Sequence, residues 1–348
     1  MADYHEILEI PTLIQTLESF PQDSSYLTDS FSTEGTKFET EEVEIRTKKG
    51  NRPLAPYVSE LLPGKVIARG KWSAKTFKPA MLRPSRIISK HDLKVAGVNE
   101  TLINPKSPAE RYEDLIIQDL ADLKASIHRR KVQQLAQIMF TGKTEQIGEG
   151  VSQILDWEFE NIEILSGTSS FADDSFDVVG YLTQKKLDVM KGSGLSTRKV
   201  LATFEVAQRI VTHPTLLALI DAKKETLDVG NLNQQVDGLP NGVIYHGYLR
   251  QAALHIWSYT NSYTDEAGNE VDYIPEGTLA MLPDGEPFRF DYGAIEVMDD
   301  EGNVKYADTD MYPQVFTQKR PIKRELELLS KPLCIPENVN GWYVVKAM

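Results

Sequence analysis

A single cysteine, Cys334, stands in a chain of 348 residues. It excludes an intramolecular disulfide and a cysteine-rich zinc site, so a reducing compartment suffices for folding. No apolar run approaches the roughly 18 residues that a membrane span needs. The N-terminal MADYHEILEIPTLIQ has no basic region followed by an unbroken apolar core, and so does not read as a secretory signal. Phosphate-cradling glycine loops are missing: neither GxxxxGK[ST] nor a GxGxxG after a strand occurs. The GxSxG nucleophile elbow and the HExxH zinc helix are missing too. Basic residues are in deficit, with a net charge of −13. That argues against a general nucleic-acid binder, because Lys and Arg supply most of the affinity for phosphate.

Histidines are few and scattered, at 5, 91, 128, 213, 246 and 255. His246 and His255 fall on neighbouring predicted strands, where such a pair reads as structural rather than metal-binding. The acidic run Asp299, Asp300, Glu301 lacks the spacing and closing Glu of a calcium loop and reads as a hairpin turn, as does Asp265 to Glu270. No carboxylate pair in so acidic a chain can be promoted to a catalytic dyad. The search for chemistry comes back empty, which points to a structural protein that is not an enzyme and needs no cofactor.

What the chain does have is segregated charge. Residues 1–50 hold 11 acidic and 4 basic side chains, net −7, whereas residues 51–100 hold 3 and 10, net +7. Residues 251–300 hold 11 acidic side chains and Arg289 as the one basic residue, net −10. Such blocks suit solvated faces, and equally a basic arm that finds acidic surface on copies of the same chain.

That basic block contains the most informative stretch. Between a strand marked by Val43 and Ile45 and a second extended piece near Phe77 lies a long irregular excursion. Loops beyond about 12–15 residues without structure of their own usually have a function. This one carries Leu54, Tyr57, Val58, Leu61, Leu62, Val66, Ile67 and Trp72, too much apolar surface to leave in water. Prolines at 53, 56 and 63 and glycines at 50, 64 and 70 break any helix that could bury them locally. A neighbouring molecule is the most economical core for such an arm. The expected subunit interface is therefore Tyr57, Leu61, Leu62, Val66 and Trp72, with Lys71, Lys75 and Lys78 supplying charge.

Elsewhere the elements are more regular. A short helical pattern (Ile7, Leu8, Ile14, Leu17) ends near Pro21 and leads into a Ser/Thr/Asp-rich arm. At 107–110 the sequence SPAE offers an N-cap serine, a proline at the first helical position and a capping-box Glu110. Tyr112, Ile116, Leu120, Leu123, Ile127, Val132, Leu135 and Met139 then recur at helical spacing, so a helix is expected from Ala109 to about Phe140, stopped by Gly142. Within it, Arg129, Arg130 and Lys131 read as a solvated face or an interface. A second helix, capped by Asp173 or Asp174, is expected to use Phe176, Val179, Leu182, Leu187 and Met190 and to end at Gly192–Gly194. A strand at 199–204 and two short helices around His213-Pro214 follow. From Gly242 onward the pattern is β. Strands interleaved with a few helices, without regular βαβ alternation, make the fold class α+β.

The order of these pieces matches a known family. The segments APYVSELLPGKVIARG and FKPAMLRPSR, the helix opening PAERYEDLIIQDL, the unit KVLATFEVAQRIVTHPTLLALIDA, the segment IPEGTLAMLP and the C-terminal PIKRELELLSKPLCIPENVNGWYVVKAM together resemble the major capsid proteins of lambda-like tailed phages. The resemblance implies the Hong Kong 97-type capsid fold. Mapped here, it implies an N-terminal arm over 1–40 and an extended loop (E-loop) over 41–85. A peripheral P-domain with a spine helix would take 86–194, an axial A-domain 195–311, and C-terminal strands over 312–348 would return to the P-domain. Lys65, Lys71 and Lys75 lie in the loop, but no motif assigns them a covalent crosslink.

The implied function is a structural shell subunit of an icosahedral phage head, present in the virion and assembled in the host cytoplasm. Its implied partners are copies of itself in pentamers and hexamers, a scaffolding protein, a portal and, as a further candidate, a decoration protein. Packaged double-stranded DNA would lie inside without sequence-specific contacts, and no membrane is involved. The acidic surplus suits a wall that must hold DNA without adhering to it. Two alternatives remain at this point: an encapsulin-like compartment, which would need a cargo-peptide groove, and a soluble α+β enzyme with a long lid loop.

Overall fold

The 34-residue helix α3 (Pro108–Thr141) organises the fold. A computed structural model describes residues 10–20, 25–40, 42–48, 54–55, 57–58, 63–64, 66, 72–89, 92, 107–223, 242–298, 304–307, 309–319 and 322–348. Both ends of α3 are built as the sequence implies. Ser107 Oγ accepts from the Glu110 N–H while the Glu110 carboxylate accepts from the Ser107 N–H, and Gly142 closes the other end in the left-handed conformation. The eight apolar residues that mark its periodicity are all buried. At 1.5 Å per residue α3 spans about 50 Å, long enough to serve two cores.

Its N-terminal half packs on a three-stranded sheet of β4 (Ser85–Ser89), β18 (Ile322–Leu329) and β17 (Tyr312–Lys319). Tyr112, Ile116, Leu120, Leu123 and Ile127 meet Ile88, Leu326 and Leu328 there, joined by Leu13 and Leu17 of α1 (Ile10–Ser19). Its C-terminal half, through Val132, Leu135 and Met139, enters the main core with Trp342 and one face of a six-stranded sheet.

That sheet runs in the order β7 (Ile162–Ile164), β20 (Tyr343–Lys346), β13 (Thr278–Pro283), β8 (Thr197–Ala202), β10 (Leu254–Tyr259), β9 (Val243–Leu249). All six residues of β13 are buried. Side chains alternate across a strand, so Ala280 and Leu282 join the α3 side, while Leu279 and Met281 face the other. The second face is covered by α4 (Val178–Ser193), α5 (Phe204–Thr212) and α6 (Pro214–Lys223), through Val178, Leu182, Val206 and Ile210.

Several expectations need correction. The aspartate that caps α4 is Asp177, whose carboxylate accepts from the Gly180 N–H at 2.9 Å, whereas Asp173 turns back on Ser175. The inward face of α4 uses Val178, Val179, Leu182 and Val189, while Leu187 and Met190 are exposed. Residues 26–37 are not a loose arm. Helix α2 (Tyr26–Phe31) buries Tyr26, Leu27 and Phe31, and β1 (Ser32–Lys37) pairs parallel to β14 (Phe288–Tyr292), itself paired with β19 (Pro332–Pro336). The C-terminal strands divide as well: β17 and β18 pair with β4, but β20 pairs with β13 in the six-stranded sheet, so 312–348 do not return as one unit.

Candidate assembly interface

The extended loop grows from a hairpin whose base is in the core. Strands β2 (Val43–Lys48) and β3 (Trp72–Phe77) pair antiparallel from Val43↔Phe77 to Lys48↔Trp72. Val43 and Ile45 are buried in the main core, and Phe77 packs against it. Beyond the hairpin the apolar side chains change environment: Leu54 is 92% exposed, Tyr57 106% and Val66 92%. Of the other expected interface residues, Lys78 is exposed just past β3. Trp72 and Lys75 lie in β3, with side chains outside the described residues, and Leu61, Leu62 and Lys71 also lie outside them.

Ion pairs tie the loop's exit to the spine. Arg86 on β4 reaches Asp119 at 3.3 Å and Asp122 at 2.9 Å on α3, and Arg324 on β18 lies 4.8 Å over the Tyr112 ring. Burial pushes the Asp119 carboxyl above its usual range, with the Arg86 charge opposing. The C-terminal half of α3 carries a stronger clasp. Lys131, expected on a solvated face or an interface, is 6% exposed and packs inside its own subunit. Its ammonium donates to Glu34 at 2.7 Å and to the Tyr292 hydroxyl at 2.7 Å, and sits 4.7 Å from the centre of the Phe290 ring. Tyr292 in turn donates to Glu34 at 2.6 Å; burial, then the Glu34 charge, push its phenol far above the ordinary value. The clasp joins β1, α3 and β14. The helical spacing held its signal, because Lys131 lies four residues from both Ile127 and Leu135 on the buried stripe.

A second carboxylate anchors α4 to the six-stranded sheet. Glu163 on β7 accepts from Lys185 at 2.6 Å and from the hydroxyls of Tyr181 and Tyr343 at 2.8 Å each. Burial alone would raise its pKa, but these three donors outweigh it and hold the carboxyl below its usual range. The two sheet histidines each have a separate partner: His246 bonds Ser258 at 2.8 Å and His255 bonds Tyr245 at 3.0 Å. Desolvation lowers both imidazole pKa values. Among the described residues no group of three or more His, Cys, Asp or Glu gathers as a metal ion would require. No helix among them is long and apolar enough to cross a membrane.

Comparison with known proteins bears on what such surfaces serve. The family described as phage major capsid protein E matches residues 9–347. The major capsid protein of Enterobacteria phage phi80 is 25% identical over 335 residues, spanning 91% of this chain and 92% of that protein. The major capsid protein of Escherichia phage lambda is 25% identical over 324 residues, spanning 88% and 89%. Among solved structures, a putative capsid protein of an E. coli CFT073 prophage superposes with a TM-score of 0.72 at 18% identity, covering 98% of this chain and 99% of that one. The last is a likeness of fold.

Proposed function

This chain belongs to the phage major capsid protein E family, and on that premise we propose how its parts close a head shell. It is a structural subunit that self-assembles with copies of itself, and its place is the capsid of the virion. The fold is the α+β, Hong Kong 97-type capsid fold.

In our reading residues 41–85 form the loop that reaches a neighbour, using Tyr57, Leu61, Leu62, Val66 and Trp72 as apolar contacts and Lys71, Lys75 and Lys78 as charged ones. The observation that carries this reading is the exposure of Leu54, Tyr57 and Val66 on a hairpin whose base is buried. Apolar groups of that size gain about 1.5–3 kcal/mol each on full burial, and a closed shell offers every subunit a neighbour to supply it. We place the boundary differently from the 194 expected from sequence, with β7 and α4 on the axial side: the α3 half with β4, β17 and β18 serves as the peripheral domain, and the six-stranded sheet with α4–α6 as the axial one. Residues 10–20 and 25–37 tie the arm to the spine. The role is structural rather than catalytic. A scaffolding protein and a portal serve the head's assembly, with a decoration protein as a further candidate, and DNA is held inside by volume and charge rather than by base contacts.

Negative-stain microscopy of the purified chain tests the reading. Closed shells, rings or tubes are the expected result, whereas a dispersed monomer at every salt and protein concentration would refute it.

A further inference from the structure

One face of the six-stranded sheet carries aromatic rings that the fold leaves partly open. Lys199 of β8 pairs with His255 of β10, which pairs with Tyr248 of β9, and Leu201, Trp257 and Tyr245 pair in the same order. Side chains of paired residues share a face, so the two rows lie side by side. Tyr245 and Tyr248 are three residues apart and would point to opposite faces of a regular strand. A bulge brings them together: Ile256 pairs with Gly247 and Trp257 with Tyr245, which leaves His246 as the extra residue. Gly247 takes a φ of 140°, where a side chain would be strained. The rings form a chain, with centres 4.6 Å apart for Tyr248 and His255, 6.0 Å for His255 and Tyr245, and 4.5 Å for Tyr245 and Trp257. Helix α2 borders it, with Tyr26 6.0 Å from Trp257 and Phe31 5.2 Å beneath the Lys199 ammonium. His255 is exposed, and the other three rings are half-buried.

The chain is acidic, yet this face is not. The charged groups that act on His255 are Asp284, Lys199 and Arg198, and Arg198 and Asp284 pair with each other at 3.0 Å. Lys199 is thus the cation left over, poised above a ring. Burial lowers the His255 pKa, so the imidazole is neutral at pH 7; with Nδ1 3.0 Å from the Tyr245 hydroxyl, Nε2 can donate outward. Flat rings in line with a free cation are the parts that hold unpaired nucleotides: any base can stack on a ring, and the phosphate takes the charge. His255 and Trp257 are two residues apart on β10, about 7 Å, or roughly twice the ~3.4 Å step along one strand of a duplex. That spacing suits two successive bases of an extended strand. A duplex keeps its base faces covered, so packaged DNA is not the ligand. A neutral sugar would use the rings without Lys199.

We propose that this face binds single-stranded nucleic acid, with one base stacked on Tyr248 and His255, the next on Tyr245 and Trp257, and a phosphate on Lys199. The site is independent of the shell-subunit reading, since none of its residues belongs to the loop expected to reach a neighbour.

Fluorescence anisotropy of a labelled oligothymidylate with the purified full-length chain tests it. The expected result is binding at about 50 mM salt that weakens as salt rises and is at least about ten-fold tighter than for a duplex of equal length. Tyr245→Leu/Tyr248→Leu removes two rings but keeps apolar side chains, and should weaken binding at least about ten-fold. Tyr245→Phe/Tyr248→Phe keeps the rings and should bind as the unaltered chain does. Lys199→Ala should reduce the salt slope by about 0.7, the share of one phosphate on a single strand. Should the leucine pair fail to fold, the slope of Lys199→Ala carries the test. Absence of binding, a duplex bound as tightly as the single strand, equal losses in the leucine and phenylalanine pairs, or an unchanged slope would each overturn the proposal. So would a mononucleotide that competes as well as the oligomer, since the site would then serve free nucleotides.

Discussion

Trp342 donates its indole N–H to the Met139 carbonyl at 2.9 Å. Met139 belongs to the last turn of α3, whose final carbonyls have no partner within the helix. Gly142 satisfies the carbonyl of Ile138, and Trp342, from the far end of the chain, satisfies the next. The indole also stacks on Phe159 at 4.3 Å, and a Cβ at Gly142 would lie 2.3 Å from that phenylalanine. The spine is thus closed by residues from three separate stretches of sequence.

Trp342→Phe should keep most of the packing and strand the carbonyl, costing about 1–3 kcal/mol. Trp342→Ala should cost about 3–5 kcal/mol. Urea unfolding of the dissociated subunit measures both, and a Trp342→Phe variant as stable as the unaltered chain would contradict the capping role.

The Glu34–Lys131 clasp should be asymmetric. Glu34 is half-solvated, with a side chain 62% exposed, whereas that of Lys131 is 8% exposed. Glu34→Ala leaves a buried ammonium with only Tyr292 to receive it, at a cost of about 3 kcal/mol or more. Lys131→Met keeps the apolar stem and leaves the carboxylate in water, so its cost should be near 1 kcal/mol. Chemical denaturation of both variants checks the order, and the reverse order would show that Lys131 is not the group that the fold must neutralise.

Acid should loosen the α4 anchor. Folding holds the Glu163 carboxyl below its ordinary value of 4.5. Its contribution is therefore full above that value and is lost as pH falls through the folded one. Glu163→Gln should lower the melting temperature at pH 7, and the gap to the unaltered chain should narrow as pH falls below 4.5. A gap independent of pH would assign the effect to packing instead.

The shell should respond to salt. Exposed pairs are screened over about 8 Å at physiological ionic strength, so each contributes little and their number decides. Reversing Lys71, Lys75 and Lys78 to Glu should slow or misdirect assembly, most at low salt. Normal shells from that triple variant across a salt series would rule out the charge-guided contact.

The spine was legible because it is long and its signals agree: a capping box, a C-terminal glycine and eight apolar positions, all of them buried. Three aspartates near α4 satisfied the same capping rule, and only the approach of the Gly180 N–H selects Asp177. The six residues of α2 are too few to display a period, so its docking was invisible. Nothing local in the sequence of β20 says that its partner is β13 rather than β18, because strand pairing is a long-range choice. For the interface, apolar content without periodicity marked the loop, whereas the surface proposed to cover it leaves no mark in the loop's own sequence.

An electron cryomicroscopy map of the particles formed by the unaltered chain tests the central claim most directly. The account expects closed shells in which Tyr57 and Val66 of each subunit are covered by a neighbouring subunit. Shells in which that loop lies on its own subunit, with Tyr57 and Val66 touching no neighbour, would contradict it.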